Sequence, residues 1–311
     1  MGSMEPPSHD PRHFLIGTQP CADRDSINAL GKIASSRAMT TLPRSFSASQ
    51  RVVFVSDIHL RYGDQPYLNE FLGFLHSLRR TPPAAVFIHG DLFDFYVGPR
   101  QGRLPFYLPL FEALRLLRSE GSPVGVIHGN RDYLLGQCFL DAGCEVIRDE
   151  VELRLGNDRV LLSHGDEHCV EDRSYQFWAR GVLRSWPMRT LVQNMPVSLA
   201  FWAARRYRRI SGKKSARYSH MQTGRLSTIL RGVNERLALD PYDVVICGHI
   251  HHLASTTVGP PEKPTRLLTT GAWEERPNYV EWRGGAFHLQ TFDPGTARDP
   301  AEGRKSLEEG L

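Results

Sequence analysis

Short apolar runs recur along the middle of the chain, and each is bounded by polar residues and glycines. Five of them are rich in β-branched and aromatic residues, which predicts buried strands. They are residues 52–55, 84–88, 124–127, 160–162 and 244–247. Apolar residues recur with a helical period over 67–80 and 105–120. Strands that alternate with helices predict an α/β domain.

The rest of the chain departs from this alternation. Residues 1–50 and the tail 294–311 are polar and lack a sustained apolar period, so we predict disorder for both. Further short strands are predicted at 267–270, 279–282 and 286–292. The segment 172–236 is rich in Trp, Leu, Ala and Arg, and we interpret it as a helical cap. The cap would be inserted into one domain made of residues 51–171 and 237–293.

Charge is distributed unevenly between this cap and the rest of the chain. The 311 residues include 38 basic and 34 acidic ones, for a formal net charge of +4. Hydrophobic and charged contents of 41% and 23% exclude a collagen, a coiled-coil rod and a wholly disordered chain. Residues 173–234 contain thirteen Lys and Arg but no Asp or Glu, which leaves 25 basic against 34 acidic residues elsewhere. This asymmetry predicts an anionic partner at the cap.

The cysteines and the hydropathy of the chain indicate its cellular compartment. The five cysteines are scattered without a CxxC pair, so we interpret them as reduced thiols. No stretch approaches the roughly 18 apolar residues of a membrane-spanning helix. The N-terminus has no apolar core of a secretory signal. We therefore expect a cytoplasmic protein.

Polar residues of a few types follow each of the five predicted strands. The motifs are Asp57-Ile58-His59, Gly90-Asp91-Leu92-Phe93-Asp94, Gly129-Asn130-Arg131-Asp132, Ser163-His164-Gly165-Asp166 and Gly248-His249-Ile250-His251. Ligands of open α/β sheets bind beyond the carboxyl ends of the strands, so these loops are expected to meet in one crevice. Carboxylate, amide and imidazole groups together favour a divalent metal such as Mn, Fe or Zn.

The order of these motifs resembles the calcineurin-like metallophosphoesterase superfamily, with its DxH, GDxxD, GNxD, H and GHxH pattern. The resemblance covers about residues 51–292 and implies a four-layer α/β sandwich around two divalent metals, Mn before Fe or Zn. It implies that one metal is held by Asp57, His59, Asp91 and His251. The other would be held by Asp91, Asn130, His164 and His249, with Asp91 between the two.

The chemistry expected of such a centre is hydrolysis of a phosphate bond. Two metals about 3.5–4 Å apart activate a water as hydroxide and hold the phosphoryl oxygens. We expect Asp91, Asn130 and Arg131 to act in catalysis. Many members of the superfamily have His where this chain has Arg131. A guanidinium binds phosphate with a planar fork but is a poor acid, since its pKa exceeds about 12. Arg131 therefore favours cleavage of a pyrophosphate bond, whose leaving phosphate needs little protonation.

A tighter resemblance lies in residues 128–136 and in Gly271-Ala272-Trp273. These residues resemble the UDP-2,3-diacylglucosamine diphosphatase family of the lipid A pathway of Gram-negative bacteria. Members of this family use Mn, have a helical cap where residues 172–236 lie here, and release UMP and 2,3-diacylglucosamine 1-phosphate. The resemblance implies substrate contacts at Arg131, Asp172, Tyr175, Ser211, Lys213 and Lys214. Packing within the cap is the alternative role for Tyr175.

The cap combines an apolar face with basic residues. This combination suits the acyl chains and diphosphate of a lipid-linked nucleotide, and it also suits an anionic bilayer surface. We expect peripheral binding to the cytoplasmic face of the inner membrane, and we do not expect nucleic acid. The structural alternative is an ordinary helical hairpin with a solvated basic face. Two other functions stay open: a calcineurin-like phosphodiesterase or phosphatase of another substrate, and a basic lipid- or nucleic-acid-binding module with a vestigial metal site.

Overall fold

Two β-sheets with flanking helices make up the described protein, which in this computed structural model comprises residues 41–169, 185–203, 206 and 222–294. The strands are β1 (Ser45–Phe46), β2 (Val52–Val55), β3 (Ala85–His89), β4 (Val124–Ile127), β5 (Glu145–Ile147), β6 (Glu150–Leu155), β7 (Asp158–Ser163), β8 (Val244–Cys247), β9 (Ala254–Val258), β10 (Thr265–Thr269), β11 (Asn278–Arg283) and β12 (Ala286–Thr291). The α-helices are α1 (Gln65–Arg80), α2 (Pro99–Gly102), α3 (Leu108–Ser119), α4 (Gln137–Asp141), α5 (Trp186–Asn194) and α6 (Gln222–Leu239). Short 3₁₀ turns cover Pro105–Tyr107 and Asp166–His168.

Strand order brings the motif-bearing strands to the centre of each sheet. The first sheet has the order β12-β11-β2-β3-β4-β5, and β2 to β5 run parallel. The second has the order β1-β6-β7-β8-β10-β9, and β7, β8 and β10 run parallel. Val53 pairs with Val86, and Leu162 pairs with Ile246. All five motifs therefore follow the carboxyl ends of central parallel strands.

The sheets and helices stack in four layers. Val53 and Val55 belong to a core that also contains Phe71 of α1 and Leu114 of α3. Between the sheets, Val52 and Phe54 of β2 share a second core with Val160 of β7 and Ile246 of β8. Because successive residues of β2 point to opposite faces, both faces of this strand are buried. Helix α6 covers the other face of the second sheet as the fourth layer. The predicted four-layer α/β sandwich is confirmed.

Helix α1 begins two residues before the predicted position, for a local reason. The carboxylate of Asp64 accepts a hydrogen bond from the N–H of Tyr67 at 3.3 Å and caps the helix. Pro66 occupies the first turn, where its missing N–H is not needed. Arg79 and Arg80 lie in the last turn, where a positive charge is favourable.

The N-terminal boundary requires a correction. We predicted disorder through residue 50, but Ser45–Phe46 forms β1 and pairs in parallel with β6. Leu42 and Phe46 are buried in the core between the sheets. Two apolar side chains four residues apart are too few to give a periodic signal, although they are enough to hold this segment against a sheet edge.

The C-terminal boundary of the predicted cap, at residue 236, is also corrected. Helix α6 starts inside the predicted cap range, and its residues Ile229, Val233 and Leu237 are buried against the second sheet. Their four-residue spacing forms one apolar face. From Ile229 onward the helix therefore supplies the fourth layer of the body.

The described part of the cap rests on the body through aromatic and polar contacts. Phe201 packs against Tyr62 and Phe95 with ring centroids 5.5 and 5.3 Å apart. The guanidinium of Arg100 donates to the carbonyl of Asn194, at the end of α5, at 2.9 Å. None of the helices in the described residues has both the length and the apolar character to span a bilayer.

Candidate metal centre

Backbone hydrogen bonds join the loops that follow the motif-bearing strands. The N–H of His59 donates to the carbonyl of Asp91 at 3.0 Å, within the first sheet. In the second sheet, the N–H of Gly248 donates to the carbonyl of His164 at 2.8 Å. The main chain thus fixes the relative positions of these loops before any side-chain contact is considered.

Backbone strain is concentrated in the motifs. Among the described residues other than glycine, a positive φ, between 51° and 67°, occurs at Asp57, His59, Asp91, His249 and His251. A residue held in this region costs about 1–3 kcal/mol, and such residues cluster at functional sites. All of these residues are predicted metal ligands, so the strain supports a functional role for these loops.

Glycines leave room for two of the carboxylates. A Cβ at Gly129 would lie 2.2 Å from Asp91 Oδ1, and a Cβ at Gly248 would lie 2.2 Å from Asp57 Oδ2. No side chain fits at such distances, which is why the motifs require glycine there.

One cluster of donors consists of Asp57, His59 and His251. His59 Nε2 lies 3.1 Å from His251 Nε2, which in turn lies 3.4 Å from Asp57 Oδ1. The Nδ1 of His59 is buried and has no hydrogen-bond partner among the described atoms. Because two atoms bound about 2.1 Å from one ion lie about 3 Å apart, the facing nitrogens have the separation of metal ligands.

A second cluster surrounds Asn130. Its Oδ1 lies 3.0 Å from His164 Nε2 and 3.1 Å from His249 Nδ1. Asp91 lies between the two clusters, with Oδ1 3.6 Å from His164 Nε2 and Oδ2 4.0 Å from His59 Nδ1. This position agrees with the bridging role expected for Asp91.

Burial and neighbouring carboxylates set the charge of the imidazoles. Burial lowers the pKa of His249 to about 3 and lowers the pKa of His59 well below its usual value. Burial also disfavours a charged His164, but the carboxylates of Asp91 and Asp57 outweigh it and raise the pKa of His164 to about 9. His59 and His249 are thus neutral near pH 7, with lone pairs available for a cation.

The pKa values of the two aspartates shift in opposite directions, although burial opposes ionisation of both carboxyl groups. Burial raises the pKa of Asp91, although His164 and Arg131 oppose it. Burial also opposes ionisation of Asp57, but the hydrogen bond from His251 and the nearby imidazoles keep the pKa of Asp57 well below its usual value. Buried carboxylates in one crevice are stabilised by a cation between them.

The donors fit divalent metals. Ligand atoms of Asp57, His59 and His251 lie within 4.8 Å of one another, and so do those of Asp57, Asp91 and His164. Asp57 therefore belongs to both groups, whereas we had assigned it to one metal. Carboxylate, imidazole and amide donors without thiolate match Mn, Fe or Zn.

Arg131 lies beside the bridging carboxylate. Its main-chain N–H donates to Asp91 Oδ1 at 2.9 Å, and its Nε lies 3.4 Å from Asp91 Oδ2. Its Nη1 donates to Asp94 Oδ1 at 3.0 Å. About a third of the side chain, 32%, remains exposed. Asp94 thus holds the guanidinium next to the predicted metal ligands while part of it stays open to solvent.

Asp132 was not among the residues predicted for the site, but it holds the site loops together. Its Oδ1 accepts the N–H of Gly129 at 2.8 Å, and its Oδ2 accepts those of Leu92 and Phe93 at 2.8 and 3.3 Å. The carboxylate is fully buried. The only sequence signal was its place in the motif, two residues after Asn130.

The structure brings all seven predicted metal ligands and Arg131 together. The remaining predicted substrate contacts lie outside the described residues: Asp172, Tyr175, Ser211, Lys213 and Lys214. The described end of the segment before the cap is Cys169. The expected substrate contacts at the cap therefore stay predictions.

Residues 50–253 match the calcineurin-like phosphoesterase family. Because this match spans more than half of the chain, the protein belongs to that family, and the predicted enzyme class, a metal-dependent hydrolase, is confirmed. The chain is also similar to curated proteins named UDP-2,3-diacylglucosamine hydrolase, as its motifs predicted. It is 29% identical to that of Coxiella burnetii over 246 residues, which cover 78% of this chain and 98% of the relative. It is 28% identical to that of Pseudomonas putida over 244 residues, which cover 78% and 99%.

Proposed function

We propose that this protein hydrolyses the pyrophosphate bond of UDP-2,3-diacylglucosamine, giving UMP and 2,3-diacylglucosamine 1-phosphate in the lipid A pathway. The observation that carries the proposal is the convergence of carboxylate, amide and imidazole donors beside a partly exposed guanidinium. Similarity to curated hydrolases of that name, over nearly their full length, supports the choice of substrate.

The seven predicted ligands would hold two divalent metals, with Mn as the proposed native metal. Asp57, His59, Asp91 and His251 would hold one of them. Asp91, Asn130, His164 and His249 would hold the other. When bound, the metals would supply a nucleophilic water at neutral pH and neutralise charge on the phosphoryl oxygens.

The chain's own residues would prepare the diphosphate for attack. Arg131 would bind a phosphoryl oxygen through the part of its guanidinium that Asp94 and Asp91 leave open. Its guanidinium would stabilise negative charge on the departing phosphate through charge-assisted hydrogen bonds and would not act as a proton donor. This behaviour suits a phosphate leaving group and does not suit an alkoxide.

The cap would supply recognition of the lipid and contact with the membrane. Described apolar side chains of the cap, Leu191, Leu199 and Trp202, are exposed at 57%, 47% and 61%. Exposed apolar groups beside a basic segment fit acyl chains and an anionic lipid surface. We therefore propose peripheral association with the cytoplasmic face of the inner membrane.

A comparison of substrates tests the proposal. The purified full chain is incubated with Mn²⁺ and either UDP-2,3-diacylglucosamine or an aryl phosphodiester, and UMP or the aryl alcohol is measured. The proposal predicts UMP release and much slower turnover of the diester. Turnover of the aryl diester without any UMP would favour a phosphodiesterase of another substrate.

A further inference from the structure

His89 is a buried histidine at the end of β3, next to the motif that contains Asp91, and the proposed mechanism does not use it. It is fully buried, in a strand that is otherwise apolar. A polar ring at such a position is unfavourable unless its hydrogen bonds are made. The contacts of His89 therefore indicate why the ring is there.

The ring of His89 reaches from the first sheet to the second. Its Nδ1 lies 3.1 Å from the carbonyl oxygen of Ser163, the last residue of β7. In the opposite direction, the Nδ1 of His164 lies 3.2 Å from the carbonyl oxygen of His89. Carbonyl oxygens only accept hydrogen bonds, so both Nδ1 atoms are donors. Two reciprocal hydrogen bonds thus join the ends of β3 and β7.

These hydrogen bonds determine which ring nitrogen of His164 faces the metal centre. Because Nδ1 of His164 is engaged by the carbonyl of His89, its Nε2 is directed to Asn130 and Asp91. The ring of His89 holds the peptide immediately before His164. Partners that orient a histidine ligand in this way tune metal affinity strongly.

We propose that His89 is a positioning residue for the metal centre, acting through Ser163 on the ligand His164. This inference rests on the proposed metal-binding role of His164. The Nε2 of His89 has no hydrogen-bond partner among the described atoms, so only the Nδ1 position of the ring is used. A substituted side chain with an N–H donor at the Nδ1 position should keep the hydrogen bond to Ser163 and so preserve metal binding. A side chain with its donor at the Nε2 position should not.

His89→Asn and His89→Gln test this difference, since the two amides place their N–H groups near the Nδ1 and Nε2 positions respectively. Ser122→Ala is the matched control. Ser122 is fully buried and its Oγ donates to the carbonyl of Pro83 at 2.8 Å, at the opposite end of β3 and β4. Mn²⁺ affinity is measured from the EPR signal of free Mn²⁺, and unfolding in urea is measured for each metal-free protein.

The proposal predicts that His89→Gln weakens the binding of Mn²⁺ by about 10–100-fold, while His89→Asn stays within about threefold of the unaltered chain. Ser122→Ala should lose stability without losing Mn²⁺ affinity. Equal affinity in the Asn and Gln variants, or an equal loss in Ser122→Ala, would overturn the role of His89. If His89→Gln does not fold, His89→Ala takes its place, and unchanged Mn²⁺ binding in that variant would overturn the inference. If the unaltered chain binds no Mn²⁺, the metal centre itself is wrong and the inference falls with it.

Discussion

Asp132 Oδ2 accepts a hydrogen bond from the main-chain N–H of Leu92 at 2.8 Å, from a loop 40 residues earlier in the chain. The same carboxylate accepts the N–H of Gly129 in its own loop. Asp132 thus joins the loop of Asp91 to the loop of Asn130, which hold ligands of the proposed centre. The buried carboxylate of Asp132 therefore helps to set the distance between two of the proposed ligands.

Asp132→Ala should lower both stability and metal affinity. Loss of a buried carboxylate with several N–H donors leaves those donors unpaired, which should cost about 3 kcal/mol of unfolding free energy. Asp141→Ala is the control, because Asp141 is exposed at the end of α4, where its carboxylate accepts a hydrogen bond from the side chain of Gln137. Urea unfolding and Mn²⁺ titration of both variants check this prediction. Similar losses in the two variants would contradict it.

Gly129→Ala should remove metal binding through a steric clash. Its new Cβ would lie 2.2 Å from Asp91 Oδ1, so the bridging carboxylate would have to move. Gly73→Ala makes the same change inside α1, where the nearest atom lies 3.9 Å away. That control should gain about 0.5–1 kcal/mol, because alanine favours the helix. Retention of full Mn²⁺ affinity by Gly129→Ala would show that the close approach of residue 129 does not fix the position of the Asp91 carboxylate.

Arg131→Lys should slow hydrolysis of the diphosphate by about 10²-fold, because lysine keeps the charge but loses the planar fork. The measurement is kcat and KM for UMP release. Arg115→Lys is the control, since Arg115 pairs with Glu112 on the exposed face of α3. If Arg131→Lys lowers the rate of UMP release by less than threefold, the planar fork of the guanidinium does not contribute to hydrolysis.

Removal of metal should lower the melting temperature. Asp57 and Asp91 are both buried, and their carboxylates belong to the same group of donors with His164. A bound cation would offset their negative charges. A metal that binds only the folded state adds about 2.7 kcal/mol at a hundred times its Kd. Thermal unfolding with EDTA, and then with excess Mn²⁺, measures this gain. A melting temperature that is indifferent to Mn²⁺ would argue against a metal centre.

The sequence predicted the convergence of the candidate site residues better than it predicted the periphery of the fold. Asp57, Asp91 and His164 each closely follow the end of a strongly apolar strand, so the local pattern alone predicted that they would meet at one edge of the sheets. The edge strand β1 escaped prediction because it has two residues, and its stability comes from pairing with β6. Helix α6 was assigned to the cap because the acid-free composition of the segment concealed the apolar face of Ile229 and Val233.

Side-chain contacts between segments that are far apart in the sequence could not be predicted from the sequence. The link from Asp132 to Leu92 spans 40 residues, and the link from His89 to Ser163 spans 74. Both depend on how strands of the two sheets are placed, which no local period encodes. Each link is an ordinary hydrogen bond, and its two partners come within reach of each other only in the folded protein.

The most direct test of the central claim is UMP release from UDP-2,3-diacylglucosamine with Mn²⁺ by the unaltered chain, by Asp91→Asn and by Asp141→Asn. Asp91 has one oxygen toward each cluster, so its amide variant should lose both metals and at least about 10³-fold in rate. Asp141 is an exposed residue at the end of α4, and its variant should behave as the unaltered chain does. The account predicts UMP from the unaltered chain and Asp141→Asn and none from Asp91→Asn. Undiminished UMP release by Asp91→Asn would contradict it.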